Sequence, residues 1–130
     1  MPILTINDLS HAFGGPPVLD NVNLQIDAGD RVCLVGRNGS GKSTFMRLLA
    51  GEMESDTGTI VRASGARVAR LPQEIPHDVT GSVHDVVASG MVPLSNHEEE
   101  WEQDVRIQNL LERMDLSSTA DFMELSGGMK

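Results

Sequence analysis

The chain has 130 residues, a formal net charge of −9 at pH 7 and 39% hydrophobic residues, one domain's worth of sequence with enough apolar matter for a core. One cysteine excludes an internal disulfide framework, and no apolar run approaches the ~20 residues of a membrane span. The start, Met1-Pro2-Ile3-Leu4-Thr5, shows neither the basic nor the apolar region of a secretory signal, so a cytoplasmic, reducing setting is expected. The charge is uneven: residues 1–70 carry seven Lys/Arg against seven Asp/Glu, and residues 71–130 three against twelve. A nucleic-acid surface needs the opposite sign, so direct DNA or RNA binding by the second half is not expected, while the first half keeps room for a small basic patch.

In chain order, residues 3–9 alternate apolar and polar and read as a strand, with Leu4 and Ile6 on one side and Leu9 beyond. Gly14-Gly15-Pro16-Pro17 is a turn. Val18, Val22, Leu24 and Ile26 mark a second strand, and Asp27-Ala28-Gly29-Asp30 a second turn. Residues 31–35, Arg-Val-Cys-Leu-Val, are short, apolar and β-branched and predict a buried strand, with Cys33 as a small core residue. Residues 45–50 are helix formers closed by Gly51. Residues 59–62 and 67–71 are strand candidates joined at Ser64-Gly65, and Pro72 ends the second. Residues 82–90 open on a Ser-x-x-Asp box and stop at glycine. Ser95-Asn96-His97-Glu98 is a second such box, predicting a helix to about residue 115 with an apolar stripe of Trp101, Val105, Gln108 or Leu110, Leu111 and Met114. Glu98-Glu99-Glu100 reads as a solvated helix start.

Between the predicted buried strand and the helix lies Gly36-Arg37-Asn38-Gly39-Ser40-Gly41-Lys42-Ser43-Thr44, which fits G-x-x-x-x-G-K-[ST]. Each residue type has a chemical reason. Glycines let the backbone turn tightly and bring several N–H groups onto one phosphate. The helix that follows adds unpaired N–H groups and the positive end of its dipole. Lys42 places a charge near the β- and γ-phosphates, and Ser43 offers a hydroxyl to Mg²⁺. A bare glycine-rich joint would explain the turn but not the Lys-Ser pair.

A second string, Leu125-Ser126-Gly127-Gly128, is by itself no more than a serine cap before a short helix. Its order after the phosphate loop, after Gln73 and after a helical stretch resembles that of ATP-binding cassette (ABC) ATPases, along the whole chain. The resemblance implies an α/β P-loop NTPase fold: a RecA-like core, an antiparallel β subdomain and a helical subdomain, incomplete at the C-terminus. Residues 1–73 would hold the β subdomain and phosphate loop, residues 74–125 the helical subdomain, and residues 125–130 the signature.

By the same resemblance, residues 36–44 match the Walker A loop and Phe13 the aromatic that stacks on adenine. A hydrophobic plug at that turn is the plainer reading of Phe13. Gln73 matches the glutamine near Mg²⁺ and the attacking water. Ser126, Gly127 and Gly128 match the signature that caps the γ-phosphate of ATP held by a facing cassette, so a second cassette is the implied partner, with ATP and Mg²⁺ as ligands. Met129 stands where many members have glutamine, and it has no amide to hydrogen-bond. LSGG followed by an apolar and then a basic residue looks like the ABC-F group of soluble tandem-cassette ATPases. The wording of residues 31–39, 68–74 and 81–87 is similar to the first cassette of a bacterial member of that group. Only some fifty residues separate Gln73 from Ser126, which leaves little room for a long arm insertion.

ABC ATPases hydrolyse ATP with carboxylates that follow a later apolar strand, and no run of four apolar residues followed by Asp-Glu occurs here. The expectation is therefore the front half of a cassette, without catalytic residues of its own and inactive alone. Three functions fit: an ABC-F ATPase acting on a ribosome-type partner, the nucleotide-binding subunit of a membrane transporter, or an ATP-binding module in DNA maintenance.

Overall fold

A computed structural model describes residues 1–91 and 100–130 of the chain. They divide into two compact units, Met1–Leu71 and Pro72–Lys130.

The first unit is built on a three-stranded antiparallel sheet in the order β2-β1-β3, with β1 at Pro2–Ala12, β2 at Pro17–Asp27 and β3 at Thr57–Arg62. Ile6 at the centre of β1 faces Leu24 on one side and Ile60 on the other. The alternation that predicts β1 breaks halfway. The buried residues are Leu4 and Ile6, then Leu9 and His11, so one extra residue sits between the two pairs. It is a β-bulge. Asp8 takes φ 48° and its backbone N–H donates to Asn23 Oδ1 at 2.9 Å, while Asn23 Nδ2 donates to Asp8 Oδ1 at 3.1 Å. Asp is among the few residues that tolerate this region. Gly58 stands opposite, at φ 88°, where a Cβ would lie 2.5 Å from the Asp8 carbonyl oxygen; only glycine fits there.

Helix α1 (Lys42–Ala50) lays Phe45 and Leu48, three residues apart, into the core with Leu4, Ile6 and Leu9. Full burial of each such side chain contributes about 1.5–3 kcal/mol. Gly51 closes the helix, its N–H reaching back to Leu48 O at 3.1 Å. The chain after it is tied down by charge: Arg70 grips Glu52 with two bonds of 2.7 and 2.8 Å, and Asp56 N–H donates to Ser10 O at 3.1 Å.

Two predicted strands do not form. Residues 31–35 form no strand, and Val32, Leu34 and Val35 are 56%, 45% and 86% exposed. Cys33 is exposed, not a core residue. Residues 67–71 are likewise unpaired, so no hairpin forms at Ser64-Gly65. The reason is shared. A strand exists only where a neighbouring backbone takes its N–H and C=O groups. Only β1 is paired on both sides, and no described segment lies alongside residues 31–35 or 67–71 to pair with them.

The second unit packs α2 (Val83–Ser89) on α3 (Glu100–Arg113). The Ser82 box forms: Asp85 N–H donates to Ser82 Oγ at 3.2 Å and the Asp85 carboxylate faces the Ser82 N–H at 3.4 Å. Those bonds hold the Asp85 carboxyl below its ordinary value. His84 Nε2 reaches Asp104 Oδ1 at 3.0 Å, from α2 to α3. The second predicted box, at residues 95–98, lies outside the described residues. The core is Val83, Ile107 and Leu111. Of the stripe expected on α3 only Leu111 is buried: Trp101, Val105, Leu110 and Met114 are 58%, 48%, 44% and 58% exposed, and Gln108 is exposed too. Residues 107 and 111, four apart, carry the buried face because they meet α2 and Leu116, Ala120 and Leu125 of the following segment. That segment runs back along the start of α2, with Val83 N–H on Ala120 O at 2.9 Å and Phe122 N–H on Gly81 O at 3.0 Å. A single 3-10 turn over Phe122–Glu124 follows, and Leu125 packs on the core just before Ser126.

Candidate functional site

The loop of residues 36–44 is shaped by close contacts. Ser40 N–H donates to Arg37 O at 3.1 Å and turns the chain; Gly41 then caps α1 at φ 97°, ψ 7°, and Phe45 N–H takes the Gly41 carbonyl at 2.9 Å. A Cβ on Gly41 would lie 2.6 Å from Val18 Cγ1 and 3.0 Å from Val18 O. Gly41 is therefore required twice, by its dihedral and by the approach of β2. A Cβ on Gly36 would lie 2.5 Å from Ser40 Oγ.

Lys42 folds its ammonium back over the loop, donating to the carbonyl oxygens of Gly36 and, at 2.8 Å, Arg37, with Ser40 Oγ at 3.5 Å. The positive charge thus sits above the loop, fixed by its backbone. No side chain caps the first turn of α1 and no acidic residue lies in it, so its free N–H groups and dipole favour an anion. Ser43 exposes its side chain on that same turn. Fixed N–H donors, a lysine charge and a serine hydroxyl form a donor set that fits a polyphosphate and its Mg²⁺. Among the described residues no cluster of His, Cys, Asp and Glu could hold a metal by itself. Behind the loop lies a cavity of about 210 Å³ lined by Leu19, Val22, Val35 and Phe45.

The remaining candidates are spread over both units. Phe13 follows β1 in the first, 65% exposed, its ring 4.7 Å from that of His11 at 88°. Gln73 is exposed at the start of the second. Ser126, Gly127, Gly128 and Met129 are exposed on a tight turn, with Met129 N–H and Lys130 N–H both on Ser126 O at 3.0 and 3.2 Å. A Cβ on Gly127 would meet Ile75 Cδ1 at 3.0 Å, so the segment after Gln73 abuts the signature turn. Hydrogen bonds bring Gly36, Arg37, Ser40 and Lys42 together. Sequence reasoning missed Val18, the support behind Gly41. Its signal was the adjacent apolar pair Val18-Leu19, which breaks the strand's alternation.

The sequence model of the ABC transporter family matches residues 19–130. Among curated relatives, the ATP-binding protein Uup of Escherichia coli (strain K12) is 45% identical over 91 residues, which cover 70% of this chain and 14% of that protein. The zinc import ATP-binding protein ZnuC of Ruegeria pomeroyi is 39% identical over 79 residues, 61% of this chain and 31% of its own. The chain thus spans a minor part of the curated relatives it matches. A solved ATP-binding subunit of an ABC transporter superposes with TM-score 0.74 at 29% identity, over 98% of this chain and 57% of the other. Family model, relatives and fold agree with the geometry of the phosphate loop: the chain belongs to the ATP-binding cassette family.

Proposed function

We propose that this chain is the nucleotide-binding front of a cassette in a soluble, cytoplasmic ABC-F ATPase, which couples ATP binding and hydrolysis to action on a ribosome-type partner. The observation that carries the ABC-F reading is the 45% identity to Uup over most of the chain. In this reading residues 1–73 hold the β subdomain and loop, residues 74–125 the helical subdomain and residues 125–130 the signature. The loop N–H groups, the α1 N-terminus and Lys42 grip the phosphates. Phe13 stacks on the base. Ser43 and Gln73 face the Mg²⁺, which neutralises charge on the transferred phosphoryl group. Ser126, Gly127 and Gly128 present a hydroxyl and N–H groups to nucleotide on a facing cassette, so two cassettes close around ATP.

The test is co-sedimentation of a hydrolysis-dead, full-length protein with ribosomes. ATP-dependent pelleting is expected, and none with saturating ATP would sink the ribosomal reading. A second reading, the nucleotide-binding subunit of a transporter, is favoured by the similarity to ZnuC. It predicts co-purification with an integral membrane protein, which the first reading does not.

A further inference from the structure

His11 is the one buried polar residue among those described, 8% exposed, and neither ring nitrogen makes a hydrogen bond there. A buried imidazole costs more to take out of water than a leucine of similar size. The position is thus poorly explained as core packing, and its surroundings explain it better. The His11 ring stands perpendicular to that of Phe13, centroids 4.7 Å apart, the favourable edge-to-face arrangement for two rings. Behind it, Asp56 Oδ1 lies 3.5 Å from Nδ1, while Asp56 Oδ2 accepts the Ala12 N–H at 2.8 Å and Asp56 N–H donates to Ser10 O at 3.1 Å. Asp56 belongs to the segment that returns from the end of α1. The two residues that lead into Phe13, His11 and Ala12, are therefore held by the chain that leaves the phosphate-binding helix.

We infer that His11 is a positioning residue for base recognition: its ring, braced by Asp56, fixes the otherwise exposed Phe13 ring at one angle so that a purine meets a preset platform. This rests on the reading of Phe13 as the base-stacking residue. A fixed ring loses less entropy on stacking than a free one, and the gain falls on the base alone, not on the phosphates.

The experiment separates base from phosphate. In the full-length protein, calorimetric titrations with Mg·ATP and with Mg·tripolyphosphate are compared for His11→Leu, His11→Phe and Phe13→Ala, and the signal of this site is the part lost in Lys42→Ala. Phe13→Ala is expected to weaken ATP binding about tenfold or more, and His11→Leu about two- to tenfold, both with tripolyphosphate affinity unchanged. His11→Phe, which keeps a ring against Phe13, is expected to retain the affinity of the parent. Unchanged ATP affinity in His11→Leu beside a clear loss in Phe13→Ala overturns the inference and spares the stacking reading. An equal loss for both ligands in His11→Leu, or a loss in His11→Phe like that in His11→Leu, overturns it as well. No effect of Phe13→Ala on ATP overturns the stacking reading itself.

Discussion

At the scale of single residues, the loop divides between groups that bind and groups that make room. Lys42 binds. Its ammonium is already held over the loop by the Gly36 and Arg37 carbonyls, so Lys42→Ala removes a charge without disturbing the helix behind it. ATP affinity measured by calorimetry should fall about tenfold to a hundredfold or more, the worth of a charge-assisted contact. Gly41 makes room. Gly41→Ala forces φ 97° on a residue with a Cβ that meets Val18 at 2.6 Å, and should destabilise the protein by about 1–3 kcal/mol in urea unfolding while weakening ATP binding. Adding Val18→Ala should recover the steric part and leave the dihedral part, so the double mutant should fall between Gly41→Ala and the parent. Full additivity of the two losses would show that the contact is not the cause. The sequence motif specified the glycine but not Val18, because nothing in a local pattern says which distant side chain approaches.

At the scale of elements, the second unit shows where periodicity stops being informative. Three exposed apolar residues on α3, Trp101, Val105 and Leu110, compete with two buried ones, Ile107 and Leu111, and only the partner settles which face is buried. Leu111 is 1% exposed and Leu110 44%, though they are neighbours in the chain. Leu111→Ala should cost about 2–5 kcal/mol of unfolding free energy, and Leu110→Ala within about 0.5 kcal/mol. Similar losses would show that the two neighbours are buried alike. The α2 cap was legible, since its box is a local bond pattern: Ser82 and Asp85 satisfy each other in the fold as the string implies. It also has a pH signature. The Asp85 carboxyl is lowered from an ordinary 3.8 by its bonds to Ser82, and the Glu52 carboxyl from 4.5 by Arg70. Depressed folded values mean that both contributions are present above the ordinary values and lost as pH falls through the lowered ones. The melting temperature should therefore drop on acidification below about pH 4.5, and the drop should flatten in Ser82→Ala and Arg70→Ala. An unchanged acid profile in both variants would place the acid sensitivity elsewhere.

At the scale of the molecule, β1, β2, α1 with its glycine cap and the phosphate loop were readable because each rests on contacts close in sequence or on alternation along one strand, whereas the pairing of β3 with β1 joins distant segments. The strand expected at residues 31–35 was not, because a strand is a property of two segments and its apolar side chains announce only a wish for burial. Val35, 86% exposed beside the phosphate loop, is the visible remainder of that wish. The bulge at Asp8 has a wider reach than its own bonds. It acts as a frameshift within β1: before it the even-numbered residues point inward, after it the odd-numbered ones do. His11, against whose ring Phe13 stands, is on the core side only because of the extra residue at the bulge. Deleting Asp8 would turn Leu9 and His11 outward together and swing the aromatic platform to the opposite face of the sheet, without altering a single residue of the loop that holds phosphate. The spacing between residues 6 and 13 is thus as much a part of the site as the side chains themselves.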